Sequence, residues 1–322
     1  RGRGYALQRS GKLKEALEQY EIALEYASSS ANTVEKAMSQ ASMAVIYRQQ
    51  GKASKALATM EEAITQVETR GIRRPLPRWL IVCALVHEEL GDLSTACELL
   101  REGQSVAALY EDRGAEGLLV GCLGRLDFIE GRVSDALENY KLALARSYES
   151  GHRTNAAAWL SNIAQIYSNQ GRYALAHETF DETLALLGPL QAHRLRSNAE
   201  GCLGELLFRQ DRLSEAAEHF EQAIDLGDQH FVIFAGIYRG SLALIRAHQG
   251  DFAQARDLLD QAQQQLNNSH IAQLGVLWCK RCEVELMAHN TDAARVALGQ
   301  AQQIAQKATY AQSSELNIRV TR

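Results

Sequence analysis

The stretch that decides the fold is Gly131-Arg-Val-Ser-Asp-Ala136-Leu-Glu-Asn-Tyr140-Lys-Leu-Ala143. A glycine is followed by a small residue, then by an aromatic residue, then by a second small residue, and residues 11–23 repeat this order. The first position recurs at intervals of 40 residues five times and then 39 twice: Gly11, Gly51, Gly91, Gly131, Gly171, Asp211, Gly250 and, in a worn form, His289. A fixed period in the range of roughly 20–50 residues indicates a repeat architecture.

Each period is predicted to hold two helices separated by the turn at this position. Apolar residues recur at three- and four-residue spacing, as in Leu160, Ile163, Ala164 and Tyr167, which is typical of an amphipathic helix. The chain has only 3 prolines, so helices are rarely interrupted, and it is predicted to be all-α. The pattern predicts first helices at residues 39–50, 79–90, 118–130 and 159–170, and second helices at residues 53–68 and 134–148.

Small residues at fixed places in both helices predict close helix crossings. Every second helix carries an alanine five residues after its turn: Ala16, Ala56, Ala96, Ala136, Ala176, Ala216, Ala255 and Ala294. The matching position of the first helix is also small: Gly4, Ala44, Ala84, Gly124, Ala164, Gly204, Ala243 and Cys282. Four residues after each alanine comes a bulky side chain: Tyr20, Met60, Leu100, Tyr140, Phe180, Phe220, Leu259 and Leu298. We predict that these small and large residues interlock successive hairpins.

This arrangement resembles the tetratricopeptide repeat, whose motif is matched by the pairs Leu123-Gly124 and Leu203-Gly204 and by Tyr47 and Tyr167. The common repeat has about 34 residues, so the longer period here requires longer helices. The long form is similar to arrays in bacterial signalling proteins, such as the sensor domains of maltose-activator-type transcription regulators, and to peptide receptors of the Rap type. The resemblance implies a right-handed superhelical solenoid of about eight helix-turn-helix repeats.

The period predicts one repeat domain that covers residues 1–322. Its repeats are predicted at residues 1–30, 31–72, 73–112, 113–151, 152–190, 191–229, 230–269 and 270–308. Residues 309–322 are predicted to hold a partial terminal helix, because Ser313-Ser314-Glu315 suits a helix start. The chain opens at Arg1 without a methionine, so we expect it to be part of a longer protein with a further module on its amino side.

Composition argues against several classes of function. The net charge of −5 and the pI near 6.0 disfavour a general nucleic-acid binder, which needs a basic face. No apolar run reaches the roughly 18 residues that a membrane span requires. The six cysteines are scattered through a helical array, which predicts a reduced, cytoplasmic protein.

The chain lacks the residue patterns that catalysis and metal binding require. Gly11-Lys12 and Gly51-Lys52 lack the earlier glycine of a phosphate-binding loop. Cys279 and Cys282 form a Cys-x-x-Cys pair without a second pair at ligand spacing. Because Cys282 takes the small crossing position, it is expected to be buried as a small hydrophobe. We therefore predict no enzyme activity, no cofactor and no metal.

The resemblance places a binding groove on the first helices, which line the concave face of such arrays. Three glycines on this face, Gly121, Gly201 and Gly240, each cost about 1 kcal/mol relative to alanine. Either a ligand backbone approaches closely there, or neighbouring hairpins pack tightly. Carried over by position, the groove residues are Arg48, Glu88, Arg125, Phe128, Asn162, Gln165, Asn169, Glu205, Phe208 and Arg209.

The family's carboxylate clamp, which holds the tails of chaperones, needs a lysine and an asparagine at set positions. Asn162 fits and no lysine matches it, so a chaperone-tail binder is disfavoured.

Several other polar residues allow two interpretations, as ordinary solvated or structural residues or as functional ones. The basic cluster Arg70, Arg73, Arg74 and Arg78 is either a solvated loop or a docking site for an acidic partner. His177 and His219 are expected on solvated helix faces. Asp127 and Arg246 take a position that is usually apolar, and each needs a partner if it is buried.

Taken together, these features predict a non-catalytic interaction domain that binds a peptide, a protein segment or a small effector. The first hypothesis is the carboxyl-terminal sensor or scaffold part of a larger bacterial signalling or transcription-regulatory protein. The alternative is a stand-alone peptide receptor or assembly scaffold. No direct contact with nucleic acid or membrane is expected, and exposed apolar array ends are expected to favour self-association.

Overall fold

The computed structural model describes residues 1–266, 271–307 and 319–320. These residues form sixteen helices and no strand, and residues 319–320 are also helical. In chain order the helices are α1 Gly2–Arg9, α2 Leu13–Ser29, α3 Thr33–Gln49, α4 Ala53–Glu68, α5 Leu76–Glu89, α6 Leu93–Leu109, α7 Arg113–Ile129, α8 Val133–Glu149, α9 Arg153–Asn169, α10 Tyr173–Leu187, α11 His193–Arg209, α12 Leu213–His230, α13 Val232–His248, α14 Phe252–Gln265, α15 Ile271–Met287 and α16 Thr291–Lys307. The all-α prediction is confirmed.

The predicted second helices match the structure closely, whereas the predicted first helices begin too late. Helix α4 spans the predicted residues, and α8 is one residue longer at each end. Helix α3 instead begins at Thr33, where the Asn32 side chain accepts a hydrogen bond from the Glu35 amide, as N-capping residues do. The first turn of α3 is polar, so it lacks the apolar periodicity on which the prediction depended.

The turn inside each hairpin takes the left-handed backbone conformation at the predicted position. Among the glycines, φ is 81° at Gly131 and 73° at Gly171. Two positions lack glycine and still take this conformation, with φ of 60° at Asp211 and 56° at His289. Glycine enters the left-handed region without steric cost, whereas other residues do not, so the recurring glycine reflects the shape of the turn.

The predicted interlock of small and large residues forms the core. The eight alanines of the second helices are each at most 2% exposed. A Cβ added to Gly204 would lie 2.8 Å from the Phe220 ring, and one added to Gly4 would lie 2.9 Å from the Tyr20 ring. Cys282 departs from the prediction, since it is only half-buried. It belongs to α15, in the last hairpin that the structure describes.

The chain divides into two compact units, residues 1–126 and 127–322, and the division falls within α7. In the first unit, Met60 and Trp79 belong to one apolar cluster between hairpins. In the second unit, Phe180, Phe220 and Tyr238 belong to another. The extension of one repeat domain over residues 1–322 stays a prediction.

Of the predicted partial terminal helix at residues 309–322, the structure describes residues 319–320, which are helical; the rest of the prediction lies outside the described residues. Among the helices that the structure describes, none combines the length and the apolar character that a membrane span needs.

Candidate binding face on the first helices

The candidate residues all lie on the odd-numbered helices, each of which is the first helix of its hairpin. We use "first-helix face" for the surface made by the ten predicted groove residues and by residues at the same repeat positions on these helices.

In the first unit, the charged candidates pair with one another across neighbouring first helices. Arg48 on α3 lies 2.7 Å from Glu89 on α5, and Glu88 on α5 lies 2.6 Å from Arg125 on α7. Burial raises the pKa of the Glu88 carboxyl, and the Arg125 guanidinium opposes that rise. This part of the face is therefore a row of alternating charges that satisfy one another.

In the second unit, helix α9 presents three amide side chains on the same face. Gln165 and Asn169 are exposed and Asn162 is half-buried. The Gln165 amide donates to the Cys202 sulfur at 3.6 Å, and the Asn169 oxygen accepts from Arg209 at 2.7 Å. Sulfur is a weak acceptor. The Asn162 side chain makes no hydrogen bond to the residues that the structure describes.

The first-helix face of the second unit also carries aromatic rings. Phe208 on α11 meets His248 on α13 edge to face, with ring centroids 5.8 Å apart. Phe128 on α7 is half-buried, as is Phe208. Aromatic side chains that keep part of their surface open supply apolar contact area for a ligand.

A buried polar chain that the sequence analysis missed links three first helices of the second unit. The Lys280 ammonium on α15 donates to the Ser241 hydroxyl on α13 at 2.5 Å, and that hydroxyl donates to Glu205 on α11. Lys280 also reaches Glu205 directly, at 3.5 Å, while remaining 4% exposed. Burial acts to raise the pKa of Glu205, but the Lys280 charge and the Ser241 hydrogen bond outweigh it, so the pKa lies below its ordinary value.

One signal in the sequence could have revealed these hydrogen-bonded side chains. Asn162, Cys202, Ser241 and Lys280 occupy the same repeat position, at intervals of 40, 39 and 39 residues. A lysine, Lys280, therefore stands in the same row as Asn162, three repeats later. Its ammonium is engaged by Ser241 and Glu205 rather than presented to a ligand carboxylate.

The glycines of this face serve packing between hairpins. A Cβ on Gly201 would overlap the ring of Tyr238, and one on Gly240 would lie 2.9 Å from Leu277. Tyr238 and Leu277 belong to the next first helix in each case. Of the two alternatives left open by the sequence, tight packing is therefore the one that holds at Gly201 and Gly240. The third, Gly121, is buried.

The polar residues at unusual positions have partners. Asp127 is 9% exposed and accepts from Arg132 at 3.0 Å and from Asn139 at 2.7 Å. Arg246 pairs with Glu221 at 2.7 Å. These contacts lie within the second unit and pair each charge with one of opposite sign, although the Arg246 Nε is buried without a hydrogen-bond partner among the described residues.

The predicted solvated position of His219 is wrong. Its ring nitrogen lies 2.9 Å from Glu200, which is 3% exposed. The buried Glu200 carboxylate needs a hydrogen-bond partner, and His219 supplies it from α12. His177 lies 3.1 Å from Asp181, one turn along α10.

Part of the basic cluster is engaged in structural contacts. Arg78 lies 2.7 Å from Asp112, and Arg70 donates to the Thr33 hydroxyl at 2.6 Å. Arg73 and Arg74 are exposed. Residues 1–266, 271–307 and 319–320 include no group of three His, Cys, Asp or Glu side chains placed to hold a metal ion.

The family model described as "MalT-like TPR region" matches residues 104–321, and one described as "Tetratricopeptide repeat" matches residues 1–69. The chain belongs to the MalT-like TPR family. The first of these matches alone covers more than half of the chain. The predicted resemblance to the tails of maltose-activator-type regulators is thereby confirmed. No curated protein matches the chain.

Solved structures show the same fold for this MalT-like TPR chain. The apo form of the quorum sensor NprR from B. thuringiensis has a TM-score of 0.66 at 13% identity, over 91% of this chain and 83% of that one. The Rap conjugation gene regulator of the plasmid pLS20, in complex with the Phr* peptide, has a TM-score of 0.63 at 13% identity, over 84% and 77%. Aspartyl phosphate phosphatase F from Bacillus subtilis has a TM-score of 0.64 at 12% identity, over 88% and 74%.

Proposed function

We propose that the first-helix face of the second unit binds a peptide or an extended segment of a partner protein, without catalysis. The observation that carries this proposal is the row of amide side chains on α9. Asn162 makes no hydrogen bond to the described residues, and Gln165 and Asn169 are exposed with hydrogen-bonding atoms to spare.

Amide side chains suit a peptide backbone for a simple chemical reason. Each carries donors and an acceptor, so it can pair with both the N–H and the C=O of an extended chain, whatever that chain's sequence. Phe208 and His248, on the same face of the second unit, offer apolar surface for a ligand side chain. In the first unit, by contrast, Arg48 and Glu88 are committed to partners on neighbouring helices, so we assign them a structural role.

Similar folds support the proposal at a coarse level. The regulator of plasmid pLS20 was solved with a peptide, and NprR is named as a quorum sensor. One neighbour of similar fold is named as a phosphatase. We propose binding rather than hydrolysis for this chain.

The MalT-like family suggests where such a domain acts. We propose that the chain is the carboxyl-terminal sensor or scaffold part of a larger bacterial signalling or transcription-regulatory protein in the cytoplasm. Binding would then shift an equilibrium in a module elsewhere in that protein. A stand-alone peptide receptor or assembly scaffold is the second candidate, a small effector would be a third class of ligand, and self-association through array ends stays a prediction.

The test begins with a random peptide library displayed on phage and selected against the full chain. The affinity of a selected peptide is then measured for the wild type, for the double variant Asn162→Ala with Asn169→Ala, and for the control Gln222→Ala on the exposed side of α12. We expect the double variant to bind at least about tenfold more weakly, because each lost hydrogen bond is worth about 1 kcal/mol, while its helical circular dichroism stays unchanged.

One result would move the site elsewhere. If the double variant binds as the wild type does, and the affinity falls instead when the exposed Arg73 and Arg74 are changed to alanine, the loop before α5 is the binding site and the proposal is wrong.

A further inference from the structure

Near its carboxyl end, the chain returns to its own first-helix face. Arg319 lies 3.2 Å from Glu283 on α15. Glu283 follows Lys280 by one helical turn and shares the repeat position of Glu205, two intervals of 39 residues later. Arg319 thus pairs with a residue of the face on which a ligand is proposed to bind, at the end formed by the last described hairpin.

The neighbouring Val320 contributes an apolar contact. It packs against the cluster that contains buried Cys279 and Ala301, together with Trp278 and Ile304 of α15 and α16. Arg319 and Val320 are both half-buried. A basic residue and the aliphatic residue after it are therefore recognised by different surfaces, one acidic and one apolar.

The charge of the same arginine also acts on a second acidic residue, Glu205. The positive charge of Arg319 contributes to lowering the pKa of Glu205, after the larger effects of burial, Lys280 and Ser241. Glu205 retains a side chain that is 31% exposed. The end of the face therefore presents two carboxylates, of which Glu283 is paired with the chain's own arginine and Glu205 is balanced by Lys280.

If these two residues served only to cover the apolar surface of the last hairpin, the contacts of Val320 would be explained but the ion pair of Arg319 would not. Apolar residues of α15 and α16 could be covered by any aliphatic side chain, whereas the ion pair of Arg319 is made with a residue of the first-helix face. An intrachain residue that occupies part of a binding face indicates what that face can accept from another chain.

We propose that the end of the first-helix face around Glu283 and Glu205 is a subsite for a basic side chain followed by an aliphatic one, which Arg319 and Val320 of the chain itself occupy until a partner segment displaces them. This inference deepens the proposed function and rests on it, since both concern the same face. The chain's own carboxyl-terminal residues then act as a built-in competitor that raises the concentration of partner needed for binding.

The test uses the full chain and a fluorescent synthetic peptide of residues 313–322, Ser-Ser-Glu-Leu-Asn-Ile-Arg-Val-Thr-Arg. Its binding is followed by fluorescence anisotropy with the wild type, with Arg319→Ala, and with Arg319→Ala combined with Glu283→Gln. The control is Arg295→Ala, which removes an arginine that pairs with Asp292 on the exposed side of α16.

We expect Arg319→Ala to bind the peptide about two- to fivefold more tightly than the wild type, because weakening a partly exposed ion pair weakens the intramolecular competitor by that factor. Arg295→Ala should bind as the wild type does, and the combination with Glu283→Gln should lose the gain. A second pair tests the charge without truncation: Glu283→Arg should reject the peptide and accept one that carries glutamate in place of its first arginine.

Equal binding by the wild type and Arg319→Ala, a gain in affinity that persists when Glu283→Gln is added, or no binding of the peptide to any variant would overturn the subsite. These results are independent of the peptide selected from a library, because the probe is the chain's own segment. If the library peptide binds through Asn162 and Asn169 while the carboxyl-terminal peptide fails, the proposed function stands and the subsite falls.

Discussion

The ring of Tyr238 fills the space that a side chain at Gly201 would occupy. Gly201 lies on α11 and Tyr238 on α13, and an added Cβ would overlap the ring. The same ring donates from its hydroxyl to the Asn198 carbonyl at 3.2 Å. The Tyr238 ring of α13 thus packs into the space left at Gly201 of α11, which keeps these two first helices in close contact.

Gly201→Ala should destabilise the chain by roughly 1–3 kcal/mol, because overpacking forces the ring and the backbone apart. The free energy of unfolding in urea measures the effect. Gly299→Ala is the matched control, since Gly299 is also helical but has open space around its position. There alanine should stabilise the helix by about 0.5–1 kcal/mol. A Gly201→Ala variant as stable as the wild type would refute the interpretation.

Lys280→Met should lower the free energy of unfolding by roughly 1–3 kcal/mol at neutral pH, since it leaves the carboxylate of Glu205 without its buried cation. Methionine keeps the aliphatic volume, so the loss reports the charge. Lys141→Met, at an exposed position of α8, is the control and should be nearly neutral.

The same variant has an expected pH dependence. The pKa of Glu205 is lowered in the folded chain, so its carboxylate stabilises the fold above the pKa of the unfolded chain, and this contribution is lost as the pH falls through the lower folded pKa. The difference between wild type and Lys280→Met should therefore shrink on acidification. Urea unfolding at several pH values checks this, and a constant difference would contradict the pairing.

His289→Gly should stabilise the chain by about 0.5–1 kcal/mol, because His289 takes a left-handed conformation with φ of 56° that costs a residue with a Cβ roughly 1–2 kcal/mol. Part of the gain is offset by the freedom that glycine adds to the unfolded chain. Gly171→Ala, at φ of 73°, reverses the exchange and should destabilise. Thermal unfolding compares the two, and a loss of stability in His289→Gly would show that the turn does not carry this strain.

The repeat could be recognised from the sequence because its packing is a steric demand that returns at each hairpin. Ala136 and Tyr140 occupy places where one size of side chain fits, so the pattern is visible along the chain. The start of α3 at Thr33 was missed because its first turn is polar and is stabilised by a cap at Asn32. A capping hydrogen bond leaves a weaker trace in a sequence than apolar periodicity does.

The candidate face was harder to predict, because the sequence does not say which residues of different hairpins meet. Glu205 was expected on the face, but its partner Lys280 lies two hairpins later. Gly201 was ambiguous, since an approaching ligand and the ring of Tyr238 both require the absence of a side chain. Only the three-dimensional neighbours distinguish these cases.

The reach of Lys280 to Glu205 also bears on how the array unfolds. In a linear array whose hairpins contact only their neighbours, each hairpin can unfold almost independently, and the free energies of unfolding add along the chain. The contact from α15 to α11 spans α13 and connects three hairpins, which we expect to unfold as one cooperative unit. A change at the last described hairpin is then expected to alter the local opening of α11, two hairpins away.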